Sequence, residues 1–170
     1  MTQNPLPETA SLLQIPWTQK KWVRTAGVVL AVIAAFYAMV YADVVLRARD
    51  AYLQGEKYMR WHEDPRLKMT ELNSKYEKQK AALDEKLSKK KINQDEYDRQ
   101  LEIAAFDRDR LMEESSVKYA YVWYQTAYEL FSPPESRWVR LSREKAPLAK
   151  EKWKDELRAK KIPFEDYMLE

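Results

Sequence analysis

A few groups of residues in this chain have side chains of the kind that perform chemistry. His62-Glu63-Asp64 carries the donor types of a divalent-metal site, but consecutive residues on a helix point apart, so the run does not converge on one ion. Glu96 with Glu102, and Glu113 with Glu114, offer paired carboxylates for general acid–base work. Lys and Arg are interspersed among them, and the pattern reads as an ion-paired surface. Ser115-Ser116 supplies hydroxyls with no histidine in sight to activate them. The chain has no cysteine, hence no thiol nucleophile, thiolate ligand or disulfide, a composition that fits reducing and oxidising compartments alike. Its two glycines, Gly27 and Gly55, are too few for phosphate-cradling loops or most β architectures. The expectation is an all-α protein that is not an enzyme, with no catalytic residues, no metal site and no cofactor.

The remaining unusual residues are suited to binding other molecules through packing. Thr25 to Ala42 contains no charge in a chain that is 34% charged. At about 1.5 Å per residue this run is about 27 Å long, and Val44, Val45 and Leu46 extend it to match a bilayer core of roughly 30 Å. Trp17 and Trp22 at one end, Tyr37 and Tyr41 near the other, and Lys20, Lys21 and Arg24 just outside are the anchors of a membrane span. A buried core helix and a cleaved signal peptide are the alternatives, the latter because Val40-Tyr41-Ala42 precedes Asp43 with compact residues. Basic residues that come only after a long lead, and helical sequence that continues past Asp43, favour a signal anchor. Gly27, Ala31, Ala34, Ala35, Ala38 and Ala42 share one face of this helix, so a partner helix can approach closely. Asp43 is expected to reach interfacial water.

Positioning elements follow from caps and periodicity. The membrane helix is predicted to run out to Glu63, where Asp64-Pro65 caps a fresh start. Met69, Leu72, Tyr76, Leu83 and Leu87 keep a helical period to about Lys90. Asn93 with Glu96 then opens a helix predicted from Gln94 to about Phe131, with Tyr97, Leu101, Ala104, Arg108, Leu111, Met112, Tyr119 and Val122 inward. Two narrow stripes about a polar break predict an antiparallel hairpin. A turn centred on residues 91 and 92 sets Pro65 beside Ala120 and Trp61 beside Val122. The hairpin base then carries an aromatic cluster of Tyr52, Tyr58, Trp61, Tyr119, Tyr121, Trp123, Tyr124 and Tyr128.

After a turn at Ser132-Pro133-Pro134-Glu135, two short amphipathic helices are predicted. One spans Pro134–Lys145 with Trp138 and Leu141 inward; the other starts at Pro147 and runs to about Lys161 with Leu148, Trp153 and Leu157 inward. Basic residues outnumber acidic ones here, which suits anionic headgroups or a solvated face. The tail's Phe164, Tyr167, Met168 and Leu169 are expected to dock on this domain or on a partner.

The expected organisation is a polar N-terminal segment over 1–21, a transmembrane helix over 22–46, and a membrane-proximal helix with its hairpin over 47–131, turning near 89–93. Basic short helices over 132–161 and a docking tail over 162–170 complete it. In layout the span and long helices resemble the membrane-anchored b-type stalk of rotary ATPases, from which Pro65, the aromatic base and the turn near Asn93 depart. Ala51, Tyr52, Gly55 and Tyr58, and again Tyr124, Ala127 and Tyr128, are similar to the helix pairs of tetratricopeptide repeats, without a 34-residue period.

A net charge of +3, from 30 basic and 27 acidic residues, implies no nucleic acid. The expected partners are a lipid bilayer and other membrane protein subunits, with a homodimer as the alternative. The expected function is a single-pass accessory or assembly subunit of a larger membrane complex, or else a self-associating membrane-anchored coiled-coil scaffold. The N-terminus is expected in the cytoplasm and the C-terminal domain on the opposite side.

Overall fold

The computed structural model describes residues 21–169, and among them every regular element is helical. Trp17, Lys20 and nearly all of the predicted N-terminal segment lie outside the described residues. In order, the elements are α1 (Lys21–Glu63), α2 (Pro65–Ser88), α3 (Gln94–Glu113), α4 (Ser116–Glu129), α5 (Arg137–Ala159) and a 3₁₀ turn over Asp166–Leu169. Residues 1–43 and 44–170 form two separate compact units, and α1 contributes to both.

In the first unit, α1 presents an apolar stretch long enough to cross a membrane, and its hydrophobic window is entirely unburied. Helix-favouring Ala and Leu sustain it with no proline or interior charge from Thr25 to Ala42.

The second unit has its core between three helices. Ala48, Ala51, Tyr52 and Gly55 of α1, Val117, Ala120, Tyr121, Tyr124 and Ala127 of α4, and Val139, Ser142, Ala146 and Ala149 of α5 are buried. Each set recurs at three- or four-residue spacing, and its small members let the helices approach closely. By contrast, α2 and α3 bury only Lys68, Leu72, Leu83 and Ala104 in a narrow seam. They run antiparallel: the Tyr97 hydroxyl donates to Asp84 at 2.7 Å, the Arg108 guanidinium lies 4.8 Å from the Tyr76 ring, and Lys68 donates to Met112 O at 3.0 Å.

Local chemistry explains the ends. Asp64 accepts from the Arg66 N–H at 3.0 Å with Pro65 at the first helical position, and Asn93 accepts from the Glu96 N–H at 2.8 Å. Past the ends of α2 and α5 the chain turns through a left-handed residue, Lys90 at φ 55° and Lys161 at φ 54°. The Lys91 N–H closes onto Lys86 O at 2.9 Å and the Ile162 N–H onto Leu157 O at 3.0 Å, the six-to-one bond of a Schellman motif made without glycine.

Several expectations are corrected. The single helix from Gln94 to Phe131 is broken at Glu114, whose ψ of 142° is extended; Ser115 then caps α4 by accepting from the Lys118 N–H at 3.2 Å. The break resets the helical phase, so Val122 is 41% exposed, and Tyr58 stacks on Tyr119, several residues short of the predicted register. Two short basic helices are instead one, α5, which passes through Pro147. That residue faces solvent, while Ala146 and Ala149 near it are buried and hold this part of the helix against its neighbours. Leu148, expected inward, is 65% exposed for the same reason.

Leu83 is the deepest apolar residue in the distal part of the α2–α3 seam. Leu83→Glu is expected to lower stability by about 3 kcal/mol by placing an unpaired charge there, read as a drop in melting temperature of the detergent-solubilised chain.

Candidate interaction site

Three groups of residues stand out in the structure. The first is the small-residue face of α1. Gly27, Ala31, Ala34, Ala35, Ala38 and Ala42 are all exposed, and a Cβ built on Gly27 meets nothing within 4 Å. At 3.6 residues per turn they fall within an arc of about 100°, alongside exposed Val28, Leu30, Ile33, Phe36 and Met39.

The second group is aromatic and is divided into clusters. Tyr58 meets Trp61 edge-on at 5.1 Å and stacks on Tyr119 at 5.2 Å. Tyr52 packs against Tyr124 at 5.9 Å and Trp138 at 5.5 Å, while Tyr121 lies 6.0 Å from Trp153. Tyr128 packs against the same core, with Arg143 over its ring at 5.9 Å. Trp123 is half-buried and makes no ring–ring contact with the other cluster residues among the described ones. The tryptophans of α5 thus join a cluster that sequence alone assembles from α1 and α4. These rings mostly face one another, so they act as core.

Beneath the rings lies a polar knot that the sequence does not disclose. Tyr124 is fully buried, and its hydroxyl donates to Glu56 Oε1 at 2.6 Å; Lys145 Nζ donates to the same oxygen at 2.5 Å and sits 5.4 Å from the Tyr52 ring. Burial pushes the Tyr124 hydroxyl up strongly, and its bond to Glu56 adds to that. Burial alone would raise the Glu56 carboxyl, but the hydrogen bonds from Lys145 and Tyr124 outweigh it and leave it below its ordinary value. One carboxylate oxygen thus takes two donors and ties α1 to α4 and α5. Gly55 makes it fit: a Cβ there would stand 2.5 Å from Tyr124 Cε1 and 2.6 Å from Cδ1.

The third group holds the break between α3 and α4. Lys68, 8% exposed, donates to Met112 O and to Glu114 O at 2.6 Å, satisfying carbonyls at the end of α3. Burial lowers the Lys68 ammonium from its usual value. Ser115 Oγ donates to Glu156 Oε2 at 2.6 Å, and Lys160 donates to Glu156 Oε1 at 2.5 Å, so α5 is fastened at the same junction. Glu113 and Glu114, a carboxylate pair in the sequence, are separated in role, since Glu114 accepts from Arg110 at 2.6 Å.

The tail makes mixed contacts. Leu169 is buried, Phe164 lies 5.9 Å beneath the Arg158 guanidinium, and Asp166 pairs with Lys154 at 3.0 Å, whereas Tyr167 and Met168 point to solvent. The hairpin leaves Leu67, Met69, Ile103 and Phe106 exposed, Phe106 at 66%. Among the described residues no three of His, Asp and Glu converge to hold a metal ion.

Comparison of the chain with protein-family models, with curated proteins and with solved structures gives no match.

Gly55→Ala regains the roughly 0.5–1 kcal/mol that glycine costs inside a helix, but overpacking against a fully buried ring costs about 1–3 kcal/mol. Net destabilisation is therefore expected in thermal melting, while Gly27→Ala in its open surroundings shows none. The Glu56 carboxyl is depressed in the folded state, so its stabilisation is complete above its ordinary value of 4.5 and is lost as pH falls through the folded value. Glu56→Gln should flatten that acid limb in melting curves recorded from neutral pH down to about pH 3.

Proposed function

We propose that this protein is a non-catalytic, single-pass membrane-anchored accessory or assembly subunit of a larger membrane protein complex. The observation that carries this reading is the stretch of α1 from Thr25 to Ala42, apolar and unburied along its length, with its small residues gathered on one face. Water does not tolerate such a stretch, and lipid does; within lipid, the small-residue face is where a second helix packs. The unit over 44–170 is tied internally by the hydrogen bonds of Glu56, Lys68 and Glu156, which suits a rigid binding body. Exposed Leu67, Ile103 and Phe106 on the hairpin offer that body apolar contacts for a partner's soluble portion.

In this reading the N-terminus lies in the cytoplasm. Three basic residues stand on each side of the span, but Lys20, Lys21 and Arg24 precede it undiluted by acids, whereas Asp50 and Glu56 accompany Arg47, Arg49 and Lys57 after it. The alternative scaffold would need an apolar seam free for a second copy. Here Leu72, Leu83 and Ala104 are already occupied between α2 and α3 of one chain, which favours the accessory role.

The test is purification of the tagged full-length chain in mild detergent, with particle mass measured and co-eluting proteins identified. Stoichiometric recovery with unrelated membrane subunits, abolished by Gly27→Ile with Ala31→Ile while the chain stays inserted, is the expected result. A homo-oligomer alone, or retained partners in the double variant, overturns it.

A further inference from the structure

The unit over 44–170 begins one peptide bond after Asp43, so the end of it that carries Val44 is tied by covalent connectivity to the end of the apolar stretch. Packing within the unit shows which side chains share that end. Tyr119 stacks on Tyr58, and Tyr124 lies against Tyr52 and Gly55, so α4 runs antiparallel to α1 and approaches the level of Val44 as it proceeds. Six residues beyond Tyr124, about 9 Å at helical rise, it reaches Leu130. Helix α5 starts at the same end: Trp138 packs on Tyr52 and Lys145 on Glu56, so α5 runs away from it parallel to α1.

This end is unlike the rest of the unit's surface. Leu130 is 71% exposed, more than any other large apolar residue described, including those of the apolar stretch itself, and Leu46 is exposed beside it in level. The basic residues of the unit's first turns and of the start of α5 are arginines, Arg47, Arg49, Arg137, Arg140 and Arg143, and they outnumber the acids there and at the end of α4, Asp50, Glu129 and Glu135. The distal hairpin turn is instead built from Lys86, Lys89, Lys90 and Lys91. Arg143 is engaged by Glu135 at 2.7 Å, while Arg137 is exposed with its guanidinium held 5.6 Å from the Trp138 ring. Guanidinium groups clasp phosphate with two parallel hydrogen bonds, which an ammonium does not. An exposed leucine at the end of α4, with exposed arginines at the start of α5 and in the first turns of the unit and a half-buried tryptophan, has the composition of a surface lying at the headgroup boundary.

We propose that this end of the 44–170 unit is a collar that binds anionic phospholipid headgroups. Leu46 and Leu130 enter the boundary between headgroups and acyl chains, and Arg49, Arg137 and Arg140 take lipid phosphates. The inference rests on the membrane-spanning reading of α1 and adds to it a lipid preference.

The absence of cysteine makes single labelling sites clean. The full-length chain, reconstituted into vesicles of phosphatidylcholine with or without phosphatidylglycerol, carries an environment-sensitive fluorophore at Val32→Cys, Ser132→Cys or Lys90→Cys. Lipid-borne quenchers sit deep in the acyl chains or at the headgroups. The expected result is quenching of position 32 by the deep quencher in both lipids. Position 132 should shift to the blue and lose most of its emission to the headgroup quencher only with phosphatidylglycerol, and position 90 should be affected by neither. Arg137→Glu with Arg140→Glu, or Leu130→Ser, should reverse the response at 132 without changing position 32. If position 32 escapes the deep quencher, the span itself is overturned, and the collar with it. If 32 is quenched and 132 behaves like 90, the collar alone is overturned. The collar alone also falls if 132 is shielded equally in both lipids, is insensitive to the arginine substitutions, or is shielded yet out of reach of the lipid quenchers.

Discussion

Tyr124 reaches the Glu56 carboxylate because residue 55 has no side chain, and the packing of α1, α4 and α5 in the 44–170 unit depends on that contact. With the ring seated where a Cβ would otherwise stand, one carboxylate oxygen draws a hydroxyl from α4 and an ammonium from α5. Both bonds are charge-assisted; the Tyr124 hydroxyl comes from the buried core, while Glu56 and Lys145 keep part of their surface in water. The alanines at 48, 51, 120, 127, 146 and 149 then set the close spacing at which the surrounding rings of Tyr52, Tyr121, Trp138 and Trp153 fill the remaining volume. A second knot, at Lys68, Ser115 and Glu156, performs the same service where the chain leaves α3 and enters α4. Lys68 stands in for a C-terminal cap, and Ser115 serves at once as an N-cap and as a donor to α5.

The all-helical class was legible because it follows from local facts: two glycines, long stretches without proline, and caps such as Asp64-Pro65 and Asn93 whose partners lie two or three residues away. What was not legible depended on distance or on ambiguity. Glu56 lies 68 residues from Tyr124 and 89 from Lys145, so no window of sequence brings the three together. Ser115-Ser116 reads in sequence as a bare pair of hydroxyls inside a helix. A serine becomes a cap only if the helix stops, and what lets it stop is a lysine from α2 that donates to the freed carbonyls. Pro147 reads identically as the first residue of a new helix or as an outward-facing residue within an old one. The buried alanines near it decide the matter, and they resemble any other alanines until α4 is in place.

Among the site residues, the six small residues of α1 were legible as a face because periodicity on an isolated helix needs no tertiary knowledge. The aromatic residues were legible as a set and not as an arrangement. Their clusters, and the membership of Trp138 and Trp153, are decided by the phase shift at Glu114, which turns Val122 outward and Tyr124 inward. Tail residues divided likewise, with Leu169 inside and Tyr167 outside within one short turn.

The difference in depth between the two halves of the 44–170 unit has a kinetic side. The three-helix part is pinned by the Glu56 and Glu156 hydrogen bonds and by the fully buried Tyr124 ring, features of a segment that opens only at high free energy. The α2–α3 hairpin beyond Leu72 holds together through Leu83, Ala104 and the Asp84–Tyr97 bond, and it ends at a turn carried by a lysine in a left-handed conformation. Such a segment opens from its tip at a fraction of the global free energy and recloses without disturbing the core. One unit thus joins a densely packed three-helix base to a thinly packed distal hairpin.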